Sequence, residues 1–225
     1  MEPWITLRRR DLADERPAGA AEDVHFPVRL AERVVAAFSA PGDMVLDPFA
    51  GFGTTTVVAI RMGRRAVAVE LLPERADRIR RRVSGAAQVI AGDARQLSRL
   101  VREPVDLCFT SPPYMTRSGH PENPLTGYRT LDGRYSTYLD EIESIFSVVA
   151  TLLRPGGYLV INAATIVAED ELTPLAEDIA DRVSRHLVRR EDLRIAWDTP
   201  PLTVVDDRCL VFENADSAEE ADRPV

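Results

Sequence analysis

A glycine-rich loop headed by an aspartate is the first stretch of this sequence whose residue types could do chemistry. It follows a short apolar run at 44–46 and reads Asp47-Pro48-Phe49-Ala50-Gly51-Phe52-Gly53-Thr54-Thr55. Glycines let the backbone adopt positive φ and approach a ligand closely, and the amides that begin a following helix favour an anionic group. The spacing fits neither the dinucleotide fingerprint nor the P-loop. We therefore predict a strand, a glycine turn and a helix that together hold a cofactor.

Carboxylates close three successive apolar runs. Asp47 ends the first, Glu70 ends the second, and Asp93 follows the third at 88–92. Ligands of open α/β sheets lie outside the carboxyl ends of the strands, so we expect these carboxylates to line one site. Glu70 could accept both hydroxyl groups of a ribose, and Asp93 a hydrogen bond from an adenine amine. The alternative, ordinary tight turns with surface carboxylates, is disfavoured by the repetition at three strand ends.

A second loop follows a fourth apolar run, at 105–110. Its residues are Ser111-Pro112-Pro113-Tyr114. The two prolines fix their φ angles and remove two amide donors, which leaves carbonyl oxygens to accept hydrogen bonds. The Ser111 hydroxyl and the Pro112 carbonyl could hold the protons of an exocyclic amine, and a base stacked on the Tyr114 ring would gain about 1–3 kcal/mol. The alternative is a proline-stiffened turn with a packed tyrosine.

With these motifs the sequence resembles the S-adenosylmethionine-dependent amino-methyltransferases of DNA. The similarity covers roughly residues 22–165 and includes Pro155-Gly156-Gly157 before the fifth strand. It implies a Rossmann-like class I methyltransferase fold, S-adenosyl-L-methionine as cofactor, and a nucleic acid, DNA before RNA, as partner. Serine in the first place of the catalytic motif is most typical of the cytosine-N4 branch, although some adenine-N6 enzymes share it.

The loops and the resemblance together give three sets of site residues. The catalytic set is Ser111, Pro112, Pro113 and Tyr114. The cofactor set is His25, Phe26, Pro27, Asp47, Pro48, Phe49, Ala50, Gly51, Gly53, Thr54, Thr55, Glu70, Leu71, Gly92, Asp93 and Ala94. The substrate set is Met115, Arg117, Tyr128, Arg129 and Asn162. No metal is expected.

Two features depart from the family pattern. The cofactor half precedes the catalytic half, a circularly permuted order relative to many members. No sizeable target-recognition domain is visible, since the insert at 115–135 is short. A homodimer or a separate recognition subunit is therefore expected to supply the missing surface. Three other functions stay open: an RNA base methyltransferase of the tRNA guanine-N2 type, a small-molecule N-methyltransferase, and a catalytically silent binding module.

Composition indicates a globular protein of one domain. The 225 residues are 45% hydrophobic and 28% charged, with a net charge of −8, which argues mildly against tight duplex binding because phosphates demand positive charge. No run has transmembrane length and no secretory signal is visible, so we expect a soluble, cytoplasmic protein. Cys108 and Cys209 lie in apolar runs and are interpreted as buried thiols. The eight arginines at 61–82 form either the solvated face of a helix or a phosphate contact.

An alternation of strands and helices must position these residues. Predicted strands cover 44–47, 66–70, 87–90, 105–110, 157–163, 193–198 and 208–213, and predicted helices cover 27–38, 54–62, 73–83, 94–101, 138–153 and 172–187. The fold class is therefore α/β, with a mostly parallel seven-stranded sheet, an antiparallel last strand and helices on both faces.

The expected domain plan has three parts. A loosely ordered arm at 1–21 precedes a single methyltransferase domain at 22–213, and a disordered acidic tail follows at 214–225. Within the domain, the insert at 115–135 combines glycines, prolines, tyrosines and arginines, which favours a mobile lid or substrate loop.

Overall fold

The computed structural model of the chain describes residues 4–16, 26–117, 121–168, 171–201 and 203–215. Its strands are β1 (Trp4–Leu7), β2 (Met44–Asp47), β3 (Arg65–Glu70), β4 (Gln88–Ala91), β5 (Val105–Thr110), β6 (Leu153–Ala168), β7 (Glu171–Thr173), β8 (Val188–Arg189), β9 (Leu193–Trp197) and β10 (Val204–Glu213). Its helices are α1 (Arg9–Asp14), α2 (Val28–Phe38), α3 (Thr54–Arg61), α4 (Pro73–Val83), α5 (Leu97–Leu100), α6 (Tyr135–Leu152) and α7 (Leu175–Val183).

One sheet contains all the described strands, in the order β1-β9-β10-β6-β5-β2-β3-β4, with β7 paired to β6 and β8 to β10. Along this path every pairing is parallel except the two that β10 makes, with β6 and β9. The predicted class, a mostly parallel sheet whose last strand is antiparallel, is confirmed. The seven predicted strands are all present, and the short strands β1, β7 and β8 extend the sheet.

Helices cover both faces of the sheet because its central strands are apolar on both sides. On β5, Leu107 and Phe109 belong to a core that includes Val34 of α2. The intervening Cys108 points to the opposite core, which includes Phe146 of α6. Cys108 and Cys209 are both buried and free, as predicted.

The N-terminal residues correct the expected domain plan. Residues 4–16 are not a loose arm, since β1 pairs in parallel with β9 and α1 follows directly. Ile5, Leu7 and Leu12 are buried. The Glu15 carboxylate accepts a hydrogen bond from the Val28 amide at 2.6 Å, which ties this segment to the start of α2. The apolar alternation of Ile5 and Leu7 was the signal available in the sequence.

The insert and the helix after β6 also differ from expectation. Residues 171–173 pair with β6 instead of beginning the predicted helix, so α7 starts at Leu175. In the insert, Asn123, Leu125 and Thr126 are buried around a 3-10 turn, so this part is packed onto the domain. Residues 118–120 of the insert and 216–225 of the predicted tail lie outside the described residues. None of the described helices combines the length and the apolarity needed to cross a membrane.

Candidate cofactor and catalytic site

Four parallel strands carry the candidate site residues at their carboxyl ends, which lie side by side. β5, β2, β3 and β4 are consecutive neighbours. Asp47 and Glu70 are the last residues of β2 and β3, Asp93 lies just beyond β4, and Ser111 directly follows β5. The topology thus brings the glycine loop, the three carboxylates and the catalytic loop together at the carboxyl ends of these strands.

The glycine loop turns tightly from β2 into α3. Gly51 and Gly53 have φ of 54° and 82°, a conformation that glycine adopts without strain. A Cβ on Gly53 would lie 2.9 Å from Cγ2 of Ile79 on α4, whereas a Cβ on Gly51 would meet only the Phe49 carbonyl oxygen at 3.9 Å. Gly53 therefore lets α3 pack against α4, and Gly51 keeps one side of the turn open.

The other predicted residues of this loop form its walls. Phe49 packs edge-on against Phe146 of α6, with ring centroids 6.4 Å apart. Ala50 is buried, and Thr54 and Thr55 are buried in the first turn of α3. Pro48 lies between Asp47 and Phe49 in the turn itself.

Asp47 connects the glycine loop to β5. Its carboxylate accepts hydrogen bonds from the Thr110 hydroxyl at 2.7 Å and from the Phe49 amide at 3.1 Å. Burial raises the pKa of Asp47 to about 6, against the lowering effect of these hydrogen bonds. Because Thr110 directly precedes Ser111, this bond fixes the cofactor loop relative to the catalytic loop.

Glu70 braces the turn from the neighbouring strand. One carboxylate oxygen accepts a hydrogen bond from the Gly51 amide at 2.8 Å, and the other accepts one from the Leu72 amide at 2.9 Å. Burial raises the pKa of Glu70, while these two amides oppose the shift. Each oxygen keeps a lone pair for a further donor, so the carboxylate can still receive two hydroxyl groups.

Asp93 takes part in a polar chain that reaches the insert. Its carboxylate pairs with the Arg95 guanidinium at 2.6 Å, and Arg95 in turn pairs with Glu141 of α6 at 2.9 Å. The second oxygen of Glu141 accepts a hydrogen bond from the side-chain amide of the buried Asn123 at 2.6 Å. Burial alone would raise the pKa of Asp93, but the hydrogen bonds and charge of Arg95 outweigh it and hold the pKa below its usual range.

Close packing surrounds Asp93. A Cβ on Gly92 would lie 2.8 Å from Cδ1 of Leu100, and Ala94 is buried. Across the site edge, a Cβ on Gly127 would lie 3.3 Å from Cδ2 of Leu71. The insert therefore sits on the residue that follows Glu70, beside the predicted ribose contact.

The catalytic loop is held by two tyrosines. The fully buried Tyr138 of α6 donates a hydrogen bond to the Pro113 carbonyl at 3.0 Å. The Tyr114 hydroxyl donates to the backbone carbonyl of Asn162 at 3.4 Å. Burial, aided by the charge of Asp207, raises the pKa of Tyr114 well above its usual value, so the hydroxyl stays protonated.

The predicted substrate residues fall into different environments. Met115 is 3% exposed and packs in the core on the α6 side of the sheet. Arg117 pairs with Asp178 of α7 at 3.0 Å, while Tyr128 and Arg129 are exposed on the insert. Asn162 is buried at the carboxyl half of β6.

The segment before α2 lies on the other face of the sheet from α6. Phe26 packs against Phe109, with ring centroids 4.9 Å apart, and Pro27 is the N-cap of α2. The predicted contact of His25 lies outside the described residues.

Sequence reasoning missed Asp207 and Trp197. The Asp207 carboxylate accepts hydrogen bonds from the Asn162 side chain at 2.8 Å and from the Trp197 indole at 2.9 Å. Burial raises the pKa of Asp207 to about 6. No local motif marks either residue, because both reach the site only through the antiparallel pairing of β10 with β6 and β9.

The arginine cluster of α4 braces the cofactor loop from behind. Arg75 and Arg78 lie over the Phe52 ring, with their guanidinium carbons 4.9 and 6.0 Å from its centroid. Arg82 donates a hydrogen bond to the Phe52 carbonyl. These three arginines therefore hold the cofactor loop from the α4 side.

Comparison with known proteins agrees with the predicted family resemblance over part of the chain. Residues 4–81 match the model of a family described as DNA methylase. The DNA adenine methyltransferase YhdJ of Escherichia coli is 42% identical over 71 residues, which are 32% of this chain and 23% of that protein. The Type II methyltransferase M.Cfr9I of Citrobacter freundii is 40% identical over 70 residues, 31% of this chain and 23% of that protein. The matches span less than a quarter of each relative, and the predicted resemblance is confirmed within that range.

Solved structures share the fold over most of the chain. TrmN from Thermus thermophilus has a TM-score of 0.62 at 20% identity, covering 91% of this chain and 52% of that chain. The N-methyltransferase NodS from Bradyrhizobium japonicum, in complex with S-adenosyl-L-homocysteine, has a TM-score of 0.62 at 17% identity and covers 92% and 96%. At these identities the likeness shows the Rossmann-like methyltransferase fold.

Proposed function

We propose that this protein transfers a methyl group from S-adenosyl-L-methionine to an exocyclic amine of a nucleobase in DNA. The observation that carries the proposal is the hydrogen bond of 2.7 Å between Asp47 and Thr110. It joins a glycine loop suited to a cofactor to a Ser-Pro-Pro-Tyr loop suited to an amine. The family match of residues 4–81 and the name of the Escherichia coli relative support a DNA substrate.

The residues present fit the proposed cofactor. Gly51 leaves the turn open where a side chain would otherwise stand, and both oxygens of Glu70 keep lone pairs for ribose hydroxyls. Asp93 is already paired with Arg95, so an adenine amine would share that carboxylate with the guanidinium. S-adenosyl-L-methionine, when bound, supplies an electrophilic methyl group.

The protein's own part in the reaction is positioning. The Ser111 hydroxyl and the Pro112 carbonyl accept the two protons of the amine and aim its lone pair, while the Tyr114 ring supports the base. The hydrogen bonds of Tyr138 to Pro113 and of Tyr114 to Asn162 hold this loop in place. After transfer the amine nitrogen gives up one proton to water.

Identifying the methylated nucleoside would identify the target base. Serine at the first position of the motif favours the cytosine N4 amine, whereas the name of one relative states adenine. The test substrate is genomic DNA purified from a host that lacks this gene, incubated with the protein and tritiated S-adenosyl-L-methionine. We expect label to enter this DNA, and nucleoside mass spectrometry then identifies the methylated base. Label only in a parallel RNA sample would replace DNA by RNA as the substrate. No label in either, with cofactor binding shown by calorimetry, would contradict a nucleic-acid substrate.

Replacing Ser111 with alanine tests the role of the catalytic loop. We expect S111A to lower the turnover number on the order of 100-fold, because the amine loses an acceptor that orients it. Cofactor affinity measured by calorimetry should stay within about twofold of wild type, since Ser111 is not among the cofactor contacts. S147A on the solvent side of α6 is the matched control. Equal losses of turnover and of cofactor affinity would contradict the assignment.

A further inference from the structure

The catalytic loop is fixed at its two ends by groups from different parts of the chain. At its start, the Thr110 hydroxyl donates to Asp47. Beyond its end, the Arg117 guanidinium donates to both carboxylate oxygens of Asp178 on α7 at 3.0 Å. The Arg117 amide also donates to the hydroxyl of the buried Thr173 at 2.8 Å. The chain that leaves the catalytic loop is therefore tied to β7 and α7.

The same carboxylate also holds the far end of the insert. Tyr135, the first residue of α6, donates a hydrogen bond from its hydroxyl to Asp178 at 2.7 Å. Burial, aided by the bond to Asp178, raises the pKa of Tyr135, so the hydroxyl stays protonated and remains a donor. We call Arg117 and Tyr135 the roots of the insert. One side chain of α7 thus joins both roots.

A second connection leads from Tyr135 back to the catalytic loop. Its ring stacks on the ring of Tyr138, with centroids 6.1 Å apart and an angle of 17° between the planes. Tyr138 donates a hydrogen bond to the Pro113 carbonyl at 3.0 Å. Asp178 therefore reaches the catalytic loop by two routes, through Arg117 and through the tyrosine pair.

The helix that carries Asp178 is itself firmly packed. Ile179 is fully buried in the core that contains Phe146 of α6. On the outer side, Arg182 pairs with Glu143 of α6 at 2.9 Å. Because α7 is held against α6 in this way, the carboxylate of Asp178 has a fixed position from which to anchor the roots.

Stability alone does not account for this arrangement. The side chain of Arg117 is 45% exposed and that of Asp178 is 19% exposed, and ion pairs this open to solvent contribute little to folding. Reaction rates respond more sharply to position, since a displacement of about 1 Å can cost on the order of 100-fold. A carboxylate that receives donors from both roots is suited to setting that position.

We propose that Asp178 is a positioning residue that fixes the catalytic loop at 111–114 through Arg117 and Tyr135. The inference rests on the proposed function. Removing the carboxylate would release both roots at once, so the hydroxyl and carbonyl acceptors of the loop would no longer hold the amine in one orientation. Asp178 touches neither the amine nor the cofactor in this role. Its loss should therefore appear in turnover and not in cofactor binding.

Steady-state kinetics compare D178A with D178E and with D181N, which changes an exposed aspartate of the same helix. The assay is methyl transfer by the full chain into genomic DNA from a host that lacks this gene. D178A should lower the turnover number at least about tenfold and change the KM for DNA less than about threefold, because orientation and not binding is lost. D178E keeps a carboxylate for both donors and should stay within about threefold of wild type in turnover. D181N should match wild type.

Hydrogen exchange in the cofactor-free protein tests the anchoring without any substrate. The amides of peptide 111–117 should exchange at least about tenfold faster in D178A than in wild type, whereas those of the glycine loop at 47–55 should not change. Affinity for S-adenosyl-L-homocysteine, measured by calorimetry, should stay within about twofold. The midpoint of urea unfolding should equal that of D181N. Y135F, which removes one donor and keeps the stacked ring, should show smaller changes of the same kind in turnover and exchange.

Contrary outcomes separate this inference from the proposed function. Unchanged turnover and exchange in D178A, or a D178E variant as impaired as D178A, would overturn the inference. Parallel losses of turnover, cofactor affinity and stability would also overturn it, because they would show that Asp178 only supports the fold. A wild-type protein inactive on DNA would overturn the proposed substrate, and the exchange of peptide 111–117 would then decide the anchoring by itself.

Discussion

At the scale of single residues, the candidate site is held by two buried carboxylates that each accept two hydrogen bonds. Asp47 accepts from Phe49 within its own turn and from Thr110 on the neighbouring strand. Glu70 spans the amides of Gly51 and Leu72 in the same way. Because both groups are buried and their pKa values are raised, the site holds carboxylates that are unfavourable to fold as anions.

Asp47 should therefore make the cofactor-free protein less stable as the pH rises. Its pKa is about 6 in the folded protein and about 3.9 in an unfolded chain. Between these values the folded state binds more protons, so this group's contribution to the free energy of unfolding falls as the pH rises. D47N, which resembles the protonated form, should exceed wild type in stability by about 1–3 kcal/mol at pH 7 and by little below pH 4.

Urea unfolding at pH 4, 5.5 and 7 measures the difference between D47N and wild type at each pH. D181N, which changes an exposed aspartate of α7, should show no such trend. A difference that does not grow with pH would mean that the folded protein does not raise the pKa of Asp47. The same substitution should weaken cofactor binding, so stability and affinity should change in opposite directions at pH 7.

At the scale of elements, the cofactor loop is fixed by the close approach of two helices. α3 begins directly after Gly53, and the backbone there lies against Ile79 of α4. The same helix places Arg75, Arg78 and Arg82 around Phe52. The loop is consequently shaped from behind by α4 and from the strand side by Asp47 and Glu70.

Gly53 should tolerate no side chain. G53A is expected to lower the free energy of unfolding by about 2–4 kcal/mol, because the φ of 82° is strained for alanine and its Cβ would lie 2.9 Å from Ile79. G42A is the matched control, since Gly42 has a φ of 93° with nothing within 4 Å of the added atom. That variant should lose about 1–2 kcal/mol from φ strain alone. Equal losses in urea unfolding would show that helix contact at Gly53 contributes nothing.

At the scale of the whole molecule, the first strand completes the sheet. β1 pairs in parallel with β9, at the opposite edge from β4. Leu7 and Ile5 belong to the same core as Val34 and Phe109. β1 therefore packs against α2, which is near it in the sequence, and against strands that are distant in the sequence. The family match also begins at residue 4, which agrees with β1 as part of the domain.

Truncating Leu7 tests this contribution to global stability. Leu7 is 0% exposed, and L7A should lower the free energy of unfolding by about 2–4 kcal/mol through lost burial and the cavity left behind. W4A changes a larger residue of the same strand that is 53% exposed, and it should cost less than about 1 kcal/mol. The midpoints of urea unfolding compare the two. A smaller loss in L7A than in W4A would mean that β1 is not part of the cooperative core.

Local patterns in the sequence were sufficient for most of the fold. The apolar runs that end at Asp47, Glu70 and Thr110 and the glycine loop predict their strands and turns, because backbone preference and side-chain burial act over a few neighbouring residues. The ten-residue strand β10 is longer than predicted, since its first half is held by pairing with β6. The strand β1 was missed because four residues with a half-apolar pattern specify a strand only when a partner edge is present.

The sequence by itself determined which loops are the candidates for cofactor binding and catalysis, because the residue types of a strand end and the turn after it are contiguous. Only the tertiary structure decided which distant groups stand beside those loops. The link from Asp93 through Arg95 and Glu141 to Asn123 crosses three elements, and Asp207 meets Asn162 through the register of β10 on β6. Such contacts depend on the packing and register of segments far apart in the chain, for which no local spacing gives a signal.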